Sequence, residues 1–294
     1  AVNGPAGSGV ATVTIAALAA GIHFADDFSR PTNPGPLSPW VVQSGNWAVT
    51  GEVLTGGTHT PSTYGQAYVT NAWTDYSVEG RIRFSQENAW GGGIGGRLDP
   101  VTGAHYAVWV HPEGSAGGAN TLRLIKFQTW TSFGYNGTDG IPMQEVSLAA
   151  PGTNWYRVKL AFLGSQLGVF FDGKQVMSVD DVEAQPYANG GVCVGMWMSE
   201  AVYVMLVDDV VVRPLIVNDS YVGNADQTLT VADPGVLVND TGVYAANLVA
   251  TLVNGLTNGT LTLSTNGGFV YAPAAYYSGV DSFSYAASQG EASL

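Results

Sequence analysis

The stretch from Trp155 to Pro214 is a succession of apolar, β-branched and aromatic runs separated by tight turns, and it leaves the chain few ways to fold. WYRVKLAFLGSQLGVFFDGKQVMSV holds two such runs, with Asp172-Gly173-Lys174 between Phe170-Phe171 and Gln175-Val176-Met177. Asp-Gly tolerates the positive φ angles of a two-residue hairpin turn, so this segment is predicted to be a hairpin. VCVGMWMSEAVYVMLVDDVVVRPL adds two longer runs. In it Val202, Val204 and Leu206 alternate with Tyr203, Met205 and Val207, so both faces are apolar, as in a strand covered by a second layer. The segment reads as the closing antiparallel meander of a large sheet, its aromatic and methionine side chains filling a core.

The rest of the chain obeys the same period of two. Thirty-nine glycines and 11% charged residues describe a turn-rich chain. FADDF begins a large domain and a Pro-rich loop, Arg30 to Pro39, follows it. In WTDYSVEGRIRF, Tyr76, Val78, Gly80, Ile82 and Phe84 share one face and Ser77, Glu79, Arg81 and Arg83 the other, the pattern of a half-solvated strand. GGGIGGRLDP has neither a G-x-G-x-x-G fingerprint between a parallel strand and a helix nor a following Lys-Ser pair, so its glycines are read as close strand packing or a bulge. HYAVWVHP and NTLRLIKFQTW supply further strands. Residues 24–214 are therefore expected to form one two-sheet sandwich. Beyond Pro214 the chain is richer in Asn, Asp and Thr, and short strands joined by Asn-Gly, Asn-Asp and Gly-Gly turns predict a small Greek-key sandwich over 215–294. Residues 1–23 form an arm containing one compact β-forming run, VATVTI. The chain is all-β.

Several functions conflict with the composition. A net charge of -13 argues against nucleic acid or an anionic membrane surface as partner, and leaves room for a divalent cation. The apolar run Ala11 to Ala20 is too short to span a bilayer. Cys193, the single cysteine, lies within an apolar strand and is read as a buried small hydrophobe. His23, His59, His105 and His111 are scattered and lack the further ligands of a zinc site. Glycoside hydrolysis needs two carboxyl groups about 5 to 9.5 Å apart, whereas Glu79 and Glu87 stand alone and Asp180, Asp181 and Glu183 read as a solvated turn. No catalytic role is assigned. Sugar binding would use exposed aromatic rings with polar neighbours, for which Trp90, Trp109, Trp130, Phe133, Tyr135 and Asn136 are the candidates, on or beside the glycine-rich loops.

FADDF, GNWAVTGEVLTG, WTDYSVEGRIRF, NWYRVKLAFLGSQLGVFFDGKQV and VDDVVVRP together resemble the concanavalin A-like, laminin G-like jelly-roll family. That family includes carbohydrate-binding modules, glycoside hydrolases and adhesive or spacer domains. The resemblance implies that the first and last strands run side by side, and that Asp26, Asp27, Asp208 and Asp209 contribute ligands to a calcium ion there. VNDSYVGNADQTLTV, DPGVLVNDTG and NGTLTLSTNGGFVYAPAAYYSGVDSFSYAAS resemble the bacterial cadherin-like, tandem immunoglobulin-like repeat of large surface proteins. Where such repeats carry an aspartate-rich loop, this chain has TGVYAAN, Thr241 to Asn247. Such a repeat also continues into a last edge strand of alternating Thr and Val, and this chain stops at QGEASL.

A run of the missing type stands at the other end, Val10, Ala11, Thr12, Val13, Thr14 and Ile15. A sandwich without its last strand exposes a row of unpaired backbone groups beside an apolar groove. Three destinations for the arm follow: the groove of another copy, the groove of its own chain, or a preceding repeat of a longer protein. Donation between copies would build a head-to-tail filament. The expectation is a secreted, extracellular surface protein that serves as a structural filament or adhesin subunit, with carbohydrate binding to surface glycans as the alternative.

Overall fold

The alternation in Tyr76–Phe84 is reproduced as alternating burial from Val78 onward: Val78, Ile82 and Phe84 are buried, with Tyr76, and Glu79, Arg81 and Arg83 are half-exposed, whereas Ser77, expected on the solvated face, is buried between the strands that carry Ala161 and Arg213. Strands of this kind bury one face each, and two sheets closing over one core is the outcome. The computed structural model describes residues 10–14, 22–199, 203–242 and 248–289. Contacts divide the chain between Pro214 and Leu215, and Val10–Thr14 groups with the C-terminal unit. Among the described residues the single helical element is one 3-10 turn, Gly235–Leu237.

One sheet of the larger unit runs, in spatial order, through Lys174–Asp180, Gln166–Phe171, Tyr156–Leu163, Tyr76–Phe84, Met205–Pro214, Val53–Gly56 and Trp47–Thr50. Phe24–Asp26 also pairs antiparallel with Met205–Pro214, with Asp26 opposite Val210, so the first and last strands of this unit are neighbours. The second sheet runs through Gln144–Ser147, Thr121–Phe127, His105–His111, Gly92–Leu98, Gly190–Met198, Thr63–Trp73 and Val41–Ser44. The core between them includes Tyr76, Ile82, Phe84, Tyr106, Val108, Leu124, Phe162, Val194 and Met205. Asp172 and Gly173 take φ of 47° and 80°, the left-handed pair that a two-residue hairpin turn requires. Cys193 is buried, and burial pushes its thiol pKa up. One boundary differs from expectation: the strand read from Val202 begins at Met205, while Tyr203 is buried just before it and donates its hydroxyl to the Trp197 carbonyl.

In the smaller unit Leu229–Val231, Phe269–Pro273 and Gly259–Leu263 form one sheet, and Leu248–Asn254 pairs with Ser284–Gln289. Val236, Leu237, Ala250, Phe269, Tyr271 and Phe283 form its core. Val10–Thr14 lies between Ser220–Asn224 and Val280–Asp281 of its own chain. It is antiparallel to the former, from Val10 opposite Asn224 to Thr14 opposite Ser220, and parallel to the latter. This pairing lies within the chain, one of the three destinations that the sequence left open for the arm. Ile15 and most of the TGVYAAN segment lie outside the described residues.

Candidate functional site

Strand parity builds two faces on the second sheet of the larger unit. Val108, Val110, Leu122 and Leu124 point into the main core. Ala107, Trp109, Ile125 and Phe127, at the opposite parity, form a separate apolar cluster with Tyr64, Phe133 and Trp197 packed against it. Side chains of a strand alternate between faces, so the cluster lies on the side turned away from the core.

The rings on that face form a continuous band. Trp90 meets Trp197 at 5.9 Å between centroids, and Trp197 meets Tyr64 edge to face at 4.9 Å. Tyr64 contacts Trp109 and Phe127, each at 5.9 Å. Phe127 touches Phe133 at 5.5 Å and stacks on the His105 imidazole at 4.6 Å. Beyond His105 lies Trp130, which packs on Tyr68 at 5.4 Å. Trp90 is 41% exposed, Tyr64, Trp130 and Trp197 are half-buried, and Trp109 is buried.

Glycines make the floor. Gly93 stands opposite Trp109 on one side and Gly195 on the other. A Cβ on Gly93 would collide with the Val108 carbonyl oxygen, whereas one on Gly195 would lie 3.5 Å from the Trp109 indole. The indole therefore leans across a surface without side chains, and a shallow trough remains beside it. The hollow lined by Tyr64, Trp90, Trp109, His111, Arg123, Phe127, Phe133 and Trp197 measures about 270 Å³. A larger hollow of about 580 Å³ in the smaller unit is lined, among the described residues, by Asp233, Asp240, Asn266 and neighbours, none of them aromatic.

Charge on the aromatic face is confined. The seven strands of this sheet hold one carboxylate, Glu145, which pairs with the Arg123 guanidinium. Arg123 also donates to the Gly117 carbonyl, which fixes the guanidinium at the edge of the trough. Burial pushes the imidazoles of His105 and His111 down to about 4, with the Arg123 charge adding to the effect on His111, so both are neutral at pH 7. His105 Nδ1 lies 2.7 Å from the Gly103 carbonyl oxygen and donates to it.

Of the sugar candidates read from the sequence, Trp90, Trp109, Trp130 and Phe133 lie on the band. Tyr135 and Asn136 do not: Tyr135 is buried with its hydroxyl at Asp180 and Val182, and the Asn136 backbone N–H donates to the Glu183 carboxylate. Sequence reading missed Tyr64, Tyr68, Phe127 and Trp197. The available signal was parity, since each lies on the strand face opposite its Val, Leu and Met neighbours.

Three of the four aspartates assigned to calcium are held by arginines. Asp26 receives both terminal nitrogens of Arg30, at 2.9 and 2.7 Å, the Trp40 indole N–H at 2.9 Å and the Phe28 amide at 2.8 Å. Asp27 is exposed and caps Ser29. Asp208 and Asp209 both pair with Arg81, at 2.5 and 2.8 Å. Among the described residues no group of three His, Cys, Asp or Glu side chains is placed to hold a metal ion. The donor set does not fit a calcium ion: Asp26, Asp208 and Asp209 are already neutralised by guanidinium groups, and Asp27 is turned to Ser29.

A second correction concerns the turn at 180–183. Asp180 is exposed and Glu183 half-buried, but Asp181 is 3% exposed and pairs with the buried Lys126. Sequence reading took three acids in four positions for a solvated turn, because the lysine that pulls one of them inward is on a distant strand.

Residues 212–293 match the family described as bacterial Ig domain. No curated protein matches the chain. Solved structures similar to it include the laminarinase catalytic domain from Thermotoga maritima, at 10% identity and TM-score 0.51, covering 67% of this chain and 99% of that one. A protein with a galectin-like fold from Bacillus subtilis matches at 12% identity and TM-score 0.50, over 67% of this chain and 97% of the other. A carbohydrate-binding module from Bacillus subtilis matches at 16% identity and TM-score 0.47, over 63% and 99%. At identities this low the first two show the fold alone. Together with the sheet order and the match at 212–293, they make the chain a jelly-roll domain followed by a bacterial immunoglobulin-like domain.

Proposed function

We propose that the jelly roll is a glycan-binding module of an extracellular protein, and that the aromatic band is its binding face. The observation that carries this reading is the unbroken series of rings from Trp90 to Tyr68 on the side of the sheet turned away from the core. Ring faces and edges of this kind stack on the C–H faces of sugars, while Arg123 at the rim supplies hydrogen-bond donors for hydroxyl groups. The preferred ligand is a neutral polysaccharide, because a net charge of -13 repels an anionic one. Binding fits this face better than turnover does, since its strands hold one carboxylate where hydrolysis of a glycosidic bond uses two. Affinity electrophoresis through gels containing β-glucan, xylan, mannan or levan tests it. Retardation by at least one, weakened in Trp90→Ala, is expected; free migration through all of them sinks the reading.

A second reading rests on the arm. Val10–Thr14 is paired along its whole length with Ser220–Asn224, and the same pairing is available between two copies that exchange arms. Assembly of this kind would present the glycan-binding face repeatedly along a head-to-tail filament on the cell surface. Negative-stain electron microscopy of the native protein, with and without residues 1–16, separates the cases: filaments lost on deletion support exchange, and dispersed particles in both refute it.

A further inference from the structure

We propose that Lys126 and Asp181 form an intramolecular amide cross-link, closed by the protein's own side chains. Lys126 has the parity of Leu122 and Leu124, so its side chain enters the space between the sheets; it is 3% exposed. Nζ lies 2.6 Å from Asp181 Oδ2, 2.7 Å from Glu183 Oε2 and 3.4 Å from the Gln185 carbonyl oxygen. The rings of Tyr187 and Tyr106 flank it, with centroids 4.8 and 5.8 Å from Nζ.

The carboxyl group is held from its other sides. The Tyr106 hydroxyl donates to Asp181 Oδ2 at 2.5 Å, and the Glu183 backbone N–H donates to Oδ1 at 3.1 Å. Burial and the Asp181 contact raise the Tyr106 pKa, which keeps that hydroxyl a donor. These two donors address the oxygens on which negative charge develops when a nucleophile adds to Cγ. Glu183 is itself oriented, since Oε1 accepts the Asn136 amide at 2.8 Å and leaves Oε2 to the lysine.

The reaction balances without any external reagent. An ammonium and a carboxylate give one amide and one water. Glu183 relays a proton from Nζ to the Asp181 carboxylate, and the nitrogen lone pair of the neutral amine adds to Cγ of the neutral acid, forming the C–N bond. The Tyr106 hydroxyl and the Glu183 N–H hold the oxygens of the tetrahedral adduct. Glu183 then carries a second proton from the nitrogen to the hydroxyl of the adduct, the C–O bond breaks and water departs. In bulk water hydrolysis opposes this condensation. Here both groups are held in contact, a gain worth effective molarities of about 10⁵ M or more in well-oriented intramolecular reactions, and the Lys126 and Asp181 side chains are themselves buried. The product also removes two buried charges, which are costly to hold out of water.

Mass spectrometry of the intact, denatured and reduced chain decides it. The expected mass is lower than the sequence mass by one water, and fragmentation yields a branched peptide joining Lys126 to Asp181. Lys126→Met and Asp181→Ala should each show their full sequence mass. Asp181→Asn should close the same amide by losing ammonia in place of water, and Glu183→Gln should leave an uncrosslinked fraction. The wild-type chain at its full sequence mass, after prolonged incubation in the folded state, would overturn the proposal and leave a buried ion pair. Glycan binding is not read by this measurement, so the two proposals stand or fall separately.

Discussion

Trp197 and Tyr64 face each other across adjacent strands, directly opposite in register, with centroids 4.9 Å apart and ring planes at 81°. This edge-to-face pair joins the exposed end of the aromatic band, at Trp90, to its buried centre at Trp109 and Phe127. Trp197→Ala removes the ring that supports Trp90 and one wall of the trough. Affinity for the polysaccharide that retards the wild type should fall at least tenfold, about 1.4 kcal/mol, with the thermal midpoint little changed because the ring is half-buried. Undiminished binding in this variant would separate the band from the ligand.

Arg97 pins three segments by their backbones. Its guanidinium donates to the carbonyls of Thr74, Gly164 and Tyr187, and it reaches Asp75 at 3.2 Å. Arg97→Met leaves these carbonyls without donors in a buried place, and about 3 kcal/mol of stability should be lost. All eight tryptophans precede Pro214, so denaturant unfolding followed by tryptophan fluorescence reports this domain alone. A midpoint equal to that of the wild type would mean that water satisfies the vacated carbonyls.

The two domains should respond to acid in opposite directions. The imidazoles of His105 and His111, held down at about 4 by burial and ordinarily near 6.5, bind fewer protons folded than unfolded. Their contribution is complete above the unfolded value and is lost as pH falls from 6.5 toward 4, at about 1.4 kcal/mol per pH unit for each ring. In the smaller domain burial and the neighbouring Asp240 push Asp219 up to about 6. Asp219 binds more protons folded than unfolded, so its contribution is present below 3.8 and is lost as pH rises through 6. Calorimetry between pH 6.5 and 4, with tryptophan fluorescence assigning the larger domain, should show that domain's midpoint falling while the other rises. Parallel shifts would contradict this.

Removing residues 1–16 takes away the strand between Ser220–Asn224 and Val280–Asp281. The backbone groups of five paired positions lose their partners, so hydrogen exchange at Tyr221 to Gly223 should accelerate and the smaller domain's transition should fall. The tryptophan-reported transition should stay where it was. A smaller domain equally stable without the arm would show that Val10–Thr14 is replaceable there.

Strand parity and turn chemistry were legible residue by residue. Asp172-Gly173 fixed a hairpin because few dipeptides accept two positive φ angles in succession, and the alternation in Tyr76–Phe84 determined which side chains face the core. The same parity put Trp109 on the outer face, without telling which other strands place rings beside it. That depended on sheet order: Tyr64, Phe127 and Trp197 come from three strands far apart in sequence, and their meeting is a matter of register between neighbours. The aspartates show the limit most plainly. Asp26 and Asp208 looked like a cation site and Asp181 like a solvated turn, because local sequence reports charge but not the distant Arg30, Arg81 or Lys126 side chain that meets it. Local backbone preference acts over a few residues and can be read directly from them, whereas the pairing of charges and rings is decided by which strands lie side by side in the folded protein.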